Sequence, residues 1–142
     1  MAPLIFLLGS FTIVYLLNRY LFDRRLSLSL IGRFAMAVML TVTGIVHFTS
    51  TEWMVGMMPD ALPYKREIVY FTGVCELAAV IGLLWDKISK LTSVMLILFF
   101  VLILPANISD ALKNEPLYLL FRVPEQIFFI WWVWYFGLRL NK

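Results

Sequence analysis

The residues best suited to chemistry in this 142-residue chain are its single histidine, His47, and Glu76, a carboxylate set inside a long apolar run. An imidazole donates to or accepts from a bound group near neutral pH, and a carboxyl group beside it can take up or release a proton. An ionised carboxylate near the middle of a bilayer costs roughly 2.5–3.5 kcal/mol, so such a group is expected to face the inside of a helix bundle. Gly73 precedes Glu76 by three residues and Gly44 precedes His47 at the same spacing, which leaves room on the same helix face. Glu76 therefore reads either as a ligand contact or as the structural partner of Arg122 or His47. A histidine at a helix end is equally well explained by a hydrogen bond to a neighbour.

Further polar groups follow: Asn107, Asp110, Arg122, Glu125 and Gln126. Pro105 has no backbone N–H, so the carbonyl of Val101 is expected to lose its partner and the helix to bend, and Asn107 could satisfy the freed groups. Arg122 and Glu125 are three residues apart and could pair with each other. Cys75 is a lone thiol that reads as a small core residue. One histidine and one cysteine cannot build a structural zinc site. The seven methionines, Met54, Met57 and Met58 among them, lack histidine or cysteine at ligand spacing. No metal is expected.

The elements that position these groups are set by the solvent. With 62% hydrophobic residues and a mean hydropathy of +0.88, the chain is far more apolar than soluble domains. It reads as an all-α integral membrane protein. The net charge of +3 comes from Lys and Arg scattered at the ends of apolar runs, which fits topogenic charges and excludes a nucleic-acid patch. Spans are expected at about 3–22, 30–48, 67–85, 91–109 and 124–140, each near the length that crosses a ~30 Å hydrocarbon core. The first run lacks a basic leader before Leu4 and a small-residue cleavage site, so an uncleaved span is expected rather than a signal peptide. Residues 49–66 carry Glu52, Gly56, Pro59, Asp60, Pro63, Lys65 and Arg66 and read as a loop with one amphipathic turn near Trp53 to Met58. A second loop is expected over Asp110, Lys113, Asn114, Glu115 and Pro116, with Pro124 opening the last helix.

Five spans divide the basic residues unequally. Arg19, Arg24, Arg25, Arg33, Lys87, Lys90, Arg139 and Lys142 fall on one side; Lys65, Arg66, Lys113 and Arg122 fall on the other. The positive-inside rule then puts the N-terminus outside and the C-terminus in the cytoplasm of what is expected to be a bacterial inner membrane. Trp131, Trp132, Trp134 and Tyr135, just before Arg139, read as an aromatic belt at that interface. Glu76 lies about ten residues into its span, roughly 15 Å deep. Polar groups from five regions thus converge on the outer half of one bundle.

Four motifs in order carry a resemblance: Gly44-Ile45-Val46-His47-Phe48, the loop prolines Pro59 and Pro63, Gly73-Val74-Cys75-Glu76-Leu77, and Leu104-Pro105-Ala106-Asn107-Ile108. Over about Gly32 to Leu138 the chain resembles the DoxX-like family of small membrane proteins. The resemblance implies a four-helix bundle core, to which 3–22 adds an extra N-terminal helix, and it places His47, Glu76 and Asn107 at the family's polar positions. Relatives of that family include subunits of thiosulfate:quinone oxidoreductases and partners of redox enzymes, and more distant ones act as membrane chaperones or cargo receptors.

The functional expectation is an outward-facing polar pocket for a small amphipathic molecule, a quinone by preference, with Glu76 and His47 as the reactive pair. Gly44, Gly73, Asn107, Asp110, Arg122, Glu125 and Gln126 would line it. Nothing in the chain ligates flavin, haem or iron–sulfur, so no cofactor is firmly implied and redox activity would require a partner protein. The other expected partners are the lipid bilayer and further copies of the chain. A non-catalytic membrane chaperone or assembly factor is the alternative. A small-solute or proton transporter is a third, against which the odd span count and the lack of an internal repeat argue.

Overall fold

A computed structural model describes residues 2–21, 25–60, 62–114 and 119–141; the side chains of 109–111, 113, 114, 119 and 120 are not described. Among the described residues there are six α-helices and no strand: α1 (Ala2–Tyr20), α2 (Leu28–Thr49), α3 (Thr51–Met57), α4 (Lys65–Leu84), α5 (Ser89–Asn114) and α6 (Leu119–Trp132). The last runs directly into a π-helical stretch, Val133–Arg139. Four stretches, Ala2–Tyr20, Leu28–Thr49, Lys65–Leu84 and Ser89–Ile108, are long and apolar enough to cross a membrane.

The middle of the molecule is α2. Its small residues Gly32, Ala35, Ala37 and Gly44 are buried, and they let α4, α1 and the π segment approach closely; without a hydrophobic force between helices in lipid, such close packing is what holds a bundle together. The core gathers Ala35, Met36, Met39 and Leu40 of α2 with Leu7, Leu83, Leu96, Phe100, Phe129, Trp132, Val133 and Phe136. Large apolar side chains meanwhile cover the outside, with Leu102 78% exposed and Ile5, Ile13 and Ile81 close behind. A patch of that extent would aggregate in water and is what a lipid-facing surface requires.

Local chemistry sets the ends. Ser27 caps α2 by accepting from the Leu30 amide at 3.1 Å. Lys65 and Arg66 open α4, where the helix dipole disfavours cations; Lys65 reaches Asp60 at 3.4 Å, Arg66 pairs with Glu52 of α3, and Glu67 shares the same first turn. At the other end, Arg33 is only 4% exposed and donates to the Leu83 carbonyl at 3.1 Å and to Asp86 at 2.7 Å, so it closes the last turn of α4. Asn18 donates to the Leu26 carbonyl at 3.0 Å and accepts from the Leu26 amide at 2.9 Å, which fastens α1 to the entry of α2.

Two boundaries and the placement of one tryptophan differ from the sequence reading. Helix α5 continues through Pro105 to Asn114, so Asp110, Lys113 and Asn114 are helical rather than loop; Glu115 and Pro116 lie outside the described residues. Helix α6 starts at Leu119, which puts Pro124 inside it and not at its first position. As the sixth residue of α6, Pro124 lies past the first four amides, which have no helical acceptor, so it removes the bond that its amide would have made to the carbonyl of residue 120. Trp132 does not belong to an interfacial belt: it is buried, its Nε1–H donates to the Gly32 carbonyl at 3.0 Å, and its ring meets Phe11 at 5.0 Å and Phe136 at 4.6 Å. Trp131 and Trp134 remain exposed.

Candidate functional site

The polar residues of α2 and α4 meet where each helix offers a glycine to the other. A Cβ on Gly73 would stand 2.7 Å from the His47 Cβ, and one on Gly44 would stand 2.9 Å from Leu77 Cδ2. The room that each glycine leaves is therefore filled across the seam, His47 over Gly73 and Leu77 over Gly44. This crossing lays Glu76 against Thr43. The Thr43 hydroxyl lies 2.6 Å from Glu76 Oε2, while the Thr43 carbonyl lies 2.8 Å from His47 Nδ1. A carbonyl only accepts, so this hydrogen bond places a proton on Nδ1. His47 Nδ1 is 3.8 Å from Glu76 Oε2, an electrostatic contact beyond hydrogen-bond length.

One threonine thus positions both polar groups, the carboxylate through its hydroxyl and the imidazole through its backbone. Glu76 is 5% exposed. Its second oxygen, Oε1, and His47 Nε2 have no hydrogen-bond partner among the described residues, yet neither is sealed from the surface. With Nδ1 protonated, the neutral ring presents Nε2 as an acceptor. The pair can therefore hydrogen-bond a polar head and hold a proton at Glu76 or Nε2. On the α3 side, Thr51 donates to the His47 carbonyl at 2.7 Å and Phe48 stacks on Tyr70 with ring centres 5.8 Å apart.

The remaining expected residues gather elsewhere. Asn107 of α5 donates to Gln126 Oε1 at 3.0 Å, and Gln126 of α6 donates to the Phe100 carbonyl at 2.9 Å, so the buried Gln126 ties the two helices together one residue from the carbonyl that Pro105 leaves unpaired. Glu125 is buried and Arg122 half-buried on α6, and both are engaged in contacts. Asp110 is helical, with its side chain outside the described residues. The single convergence read from the sequence thus resolves into two sets, Thr43–His47–Glu76 on the α2–α4 seam and Asn107–Gln126 on α5 and α6. No group of three or more His, Cys, Asp or Glu among the described residues could hold a metal ion.

Residues 36–137 match the family described as Domain of unknown function (DUF8561). The chain belongs to that family. Neither a curated protein nor a solved structure matches it. The DUF8561 match begins inside α2 and ends in the π segment, so it takes in both polar sets, while α1 precedes it.

Sequence reading missed Thr43 and the Arg33–Asp86 pair. Mid-helix threonines usually bond back to their own helix, as Thr41 does to the Ala37 carbonyl at 2.8 Å, and one sequence does not say which threonine turns outward. Arg33 was legible as a cation three residues into an apolar run, a placement expensive enough to demand a buried partner.

Proposed function

We propose that the Glu76–His47 pair binds the polar head of a small amphipathic molecule, a quinone, in a five-span membrane protein of DoxX-like type that serves as membrane subunit or partner of a redox enzyme. The observation that supports this reading is the open valence of two polar atoms, Glu76 Oε1 and His47 Nε2, on side chains that approach to 3.8 Å in an otherwise apolar seam. A quinone carbonyl needs a donor and, on reduction, a proton; the carboxyl group, protonated at Oε1, supplies both, and His47 Nε2 accepts from the hydroxyl of the reduced ring. Electrons come from the partner protein. In this reading α6 with the π segment forms the fifth span, the N-terminus lies outside, the C-terminus lies in the cytoplasm of a bacterial inner membrane, and the α3 end faces outward.

A second reading, a non-catalytic membrane chaperone or assembly factor, draws on how tightly the seam is packed: the 2.7 Å approach at Gly73 leaves no slot for a ring between His47 and α4, so a ligand must come from the side. Titrating detergent-solubilised protein with a quinone analogue separates the two. Glu76→Gln and His47→Ala should each weaken binding, and the double substitution should lose less than the sum by about 0.5–3 kcal/mol, because both groups share one ligand. An analogue that binds the double variant as tightly as the wild type sinks the quinone reading in favour of the chaperone.

A further inference from the structure

A cleft of about 280 Å3 lies where α1 meets the start of α2, lined by Tyr15, Asn18, Arg19, Leu26, Leu28 and Ile31. Ile31 is about 18 Å along α2 from Thr43 at helical rise, so the cleft is separate from the Glu76 seam. Its walls are fixed in advance: both polar atoms of the Asn18 amide are spent on the backbone of Leu26. Arg19 is the one charged residue in the lining. Its guanidinium stacks over Tyr20 at 5.9 Å and, among the described residues, meets neither a carboxylate nor a hydrogen-bond acceptor. Leu28 brings the first turn of α2, the positive end of that helix's dipole, to the same cleft. The exposed Arg25 adds positive potential one residue before Leu26. Leu26, Leu28 and Ile31 make the remaining surface apolar.

We propose that this cleft binds a phosphate-bearing amphiphile, the anionic headgroup of a membrane phospholipid, with the phosphate on Arg19 and the glycerol and upper acyl carbons against Leu26, Leu28 and Ile31. A guanidinium presents a planar fork that matches phosphate oxygens two at a time, and here no acid among the described residues competes for it. The apolar residues rule out a site built only for a small hydrated anion. The outward face of α1, with Ile13, Leu16 and Leu17 exposed, lets the acyl chains lie alongside the helix. The lining residues all precede residues 36–137, so the site belongs to the part of the chain outside the family match. It is independent of the quinone reading.

Native mass spectrometry of the full-length protein with equimolar phosphatidylglycerol and phosphatidylcholine tests the proposal. The wild type should retain phosphatidylglycerol preferentially, and Arg19→Gln should lower that retention about fivefold, the weight of one basic residue at an anionic surface. Leu28→Trp, which fills the cleft and leaves Arg19 in place, should lose it as well. Arg19→Lys should keep most of it, which controls for folding. Arg139→Gln should change nothing, because that exposed cation, stacked on Trp134 and Tyr135, does not line the cleft. Inorganic phosphate that displaces the lipid, and itself binds in an Arg19-dependent way, would keep the phosphate site and name a soluble source. Equal retention of the two lipids by the wild type, or equal losses from Arg19→Gln and Arg139→Gln, would overturn the proposal.

Discussion

Replacing Thr43 with valine should destabilise the protein more than replacing the buried glutamate it holds. Valine keeps the shape of threonine and removes the one hydroxyl that lies 2.6 Å from Glu76 Oε2; the nearest remaining donor, His47 Nδ1, is 3.8 Å away and already committed to the Thr43 carbonyl at 2.8 Å. An interhelical hydrogen bond in a membrane protein contributes about 0.6 kcal/mol on average and about 1.7 at most. Where losing the bond leaves a buried acceptor without its donor, the whole cost is instead that group's desolvation penalty, roughly 1–3 kcal/mol. Thr43→Val should therefore cost about 1–3 kcal/mol. Glu76→Leu strands nothing comparable, because the Thr43 hydroxyl can turn to the Met39 carbonyl at 3.2 Å or the Leu40 carbonyl at 3.4 Å. Glu76→Gln keeps an acceptor and should lose least. In the double variant Thr43→Val with Glu76→Leu no group is stranded, so it should be no less stable than Glu76→Leu alone. Equilibrium unfolding in detergent or bicelles, run on all four proteins, reads the coupling directly. Additive losses, within about 0.5 kcal/mol, would mean that the Thr43 hydroxyl and the Glu76 carboxylate do not hold each other.

Gly73→Ala should destabilise by about 1–3 kcal/mol in the same assay, since its Cβ would meet the His47 Cβ at 2.7 Å, whereas Gly9→Ala, with nothing within 4 Å, should be neutral or gain about 0.5–1 kcal/mol. Asp86→Asn should change stability by less than about 1 kcal/mol, because the Asp86 side chain is 81% exposed, while Arg33→Met should lose more by also stranding the Leu83 carbonyl; equal losses would contradict the capping role of Arg33. A reporter active only in the cytoplasm should work when fused after Lys142 and fail when inserted near Asp60, and the opposite pattern would turn the Glu76 seam to the cytoplasmic side.

Much of this was legible from residue type alone. Apolar runs bounded by charges located the helices, because a chain with so few polar residues has nowhere else to end them, and the carboxylate inside one run pointed inward for the same reason. The glycines one turn before His47 and Glu76 announced a close approach, though not that each would receive a side chain from the opposite helix. What periodicity does not encode is which faces meet. Asn107 and Glu76 are both polar groups on apolar helices, yet Asn107 pairs with Gln126 because α5 packs on α6, while Glu76 faces α2. Trp132 illustrates the same limit: tryptophans near a basic helix end suggest an interface, and only the packing of α1 against the last helix shows that one of them is core.

The π turn over Val133–Arg139 makes the C-terminal helix sensitive to length in a way that substitutions would not reveal. A π turn is a helix carrying one residue more than its α-helical path requires, and here the surplus brings three contacts into register at once. Ser29 reaches the Phe136 carbonyl at 2.7 Å, Gly137 lies where a Cβ would come within 2.2 Å of Ser93 Oγ, and Asn141 reaches Ser89 at 2.8 Å. Deleting a residue ahead of Phe136, such as Trp134, would restore a regular helix and rotate everything beyond it by about 100°, which would carry those contacts off their partners together. An otherwise smoother helix would then be the less viable one, so an exposed position such as Trp134 should accept exchanges of side chain while the stretch accepts no change in its number of residues.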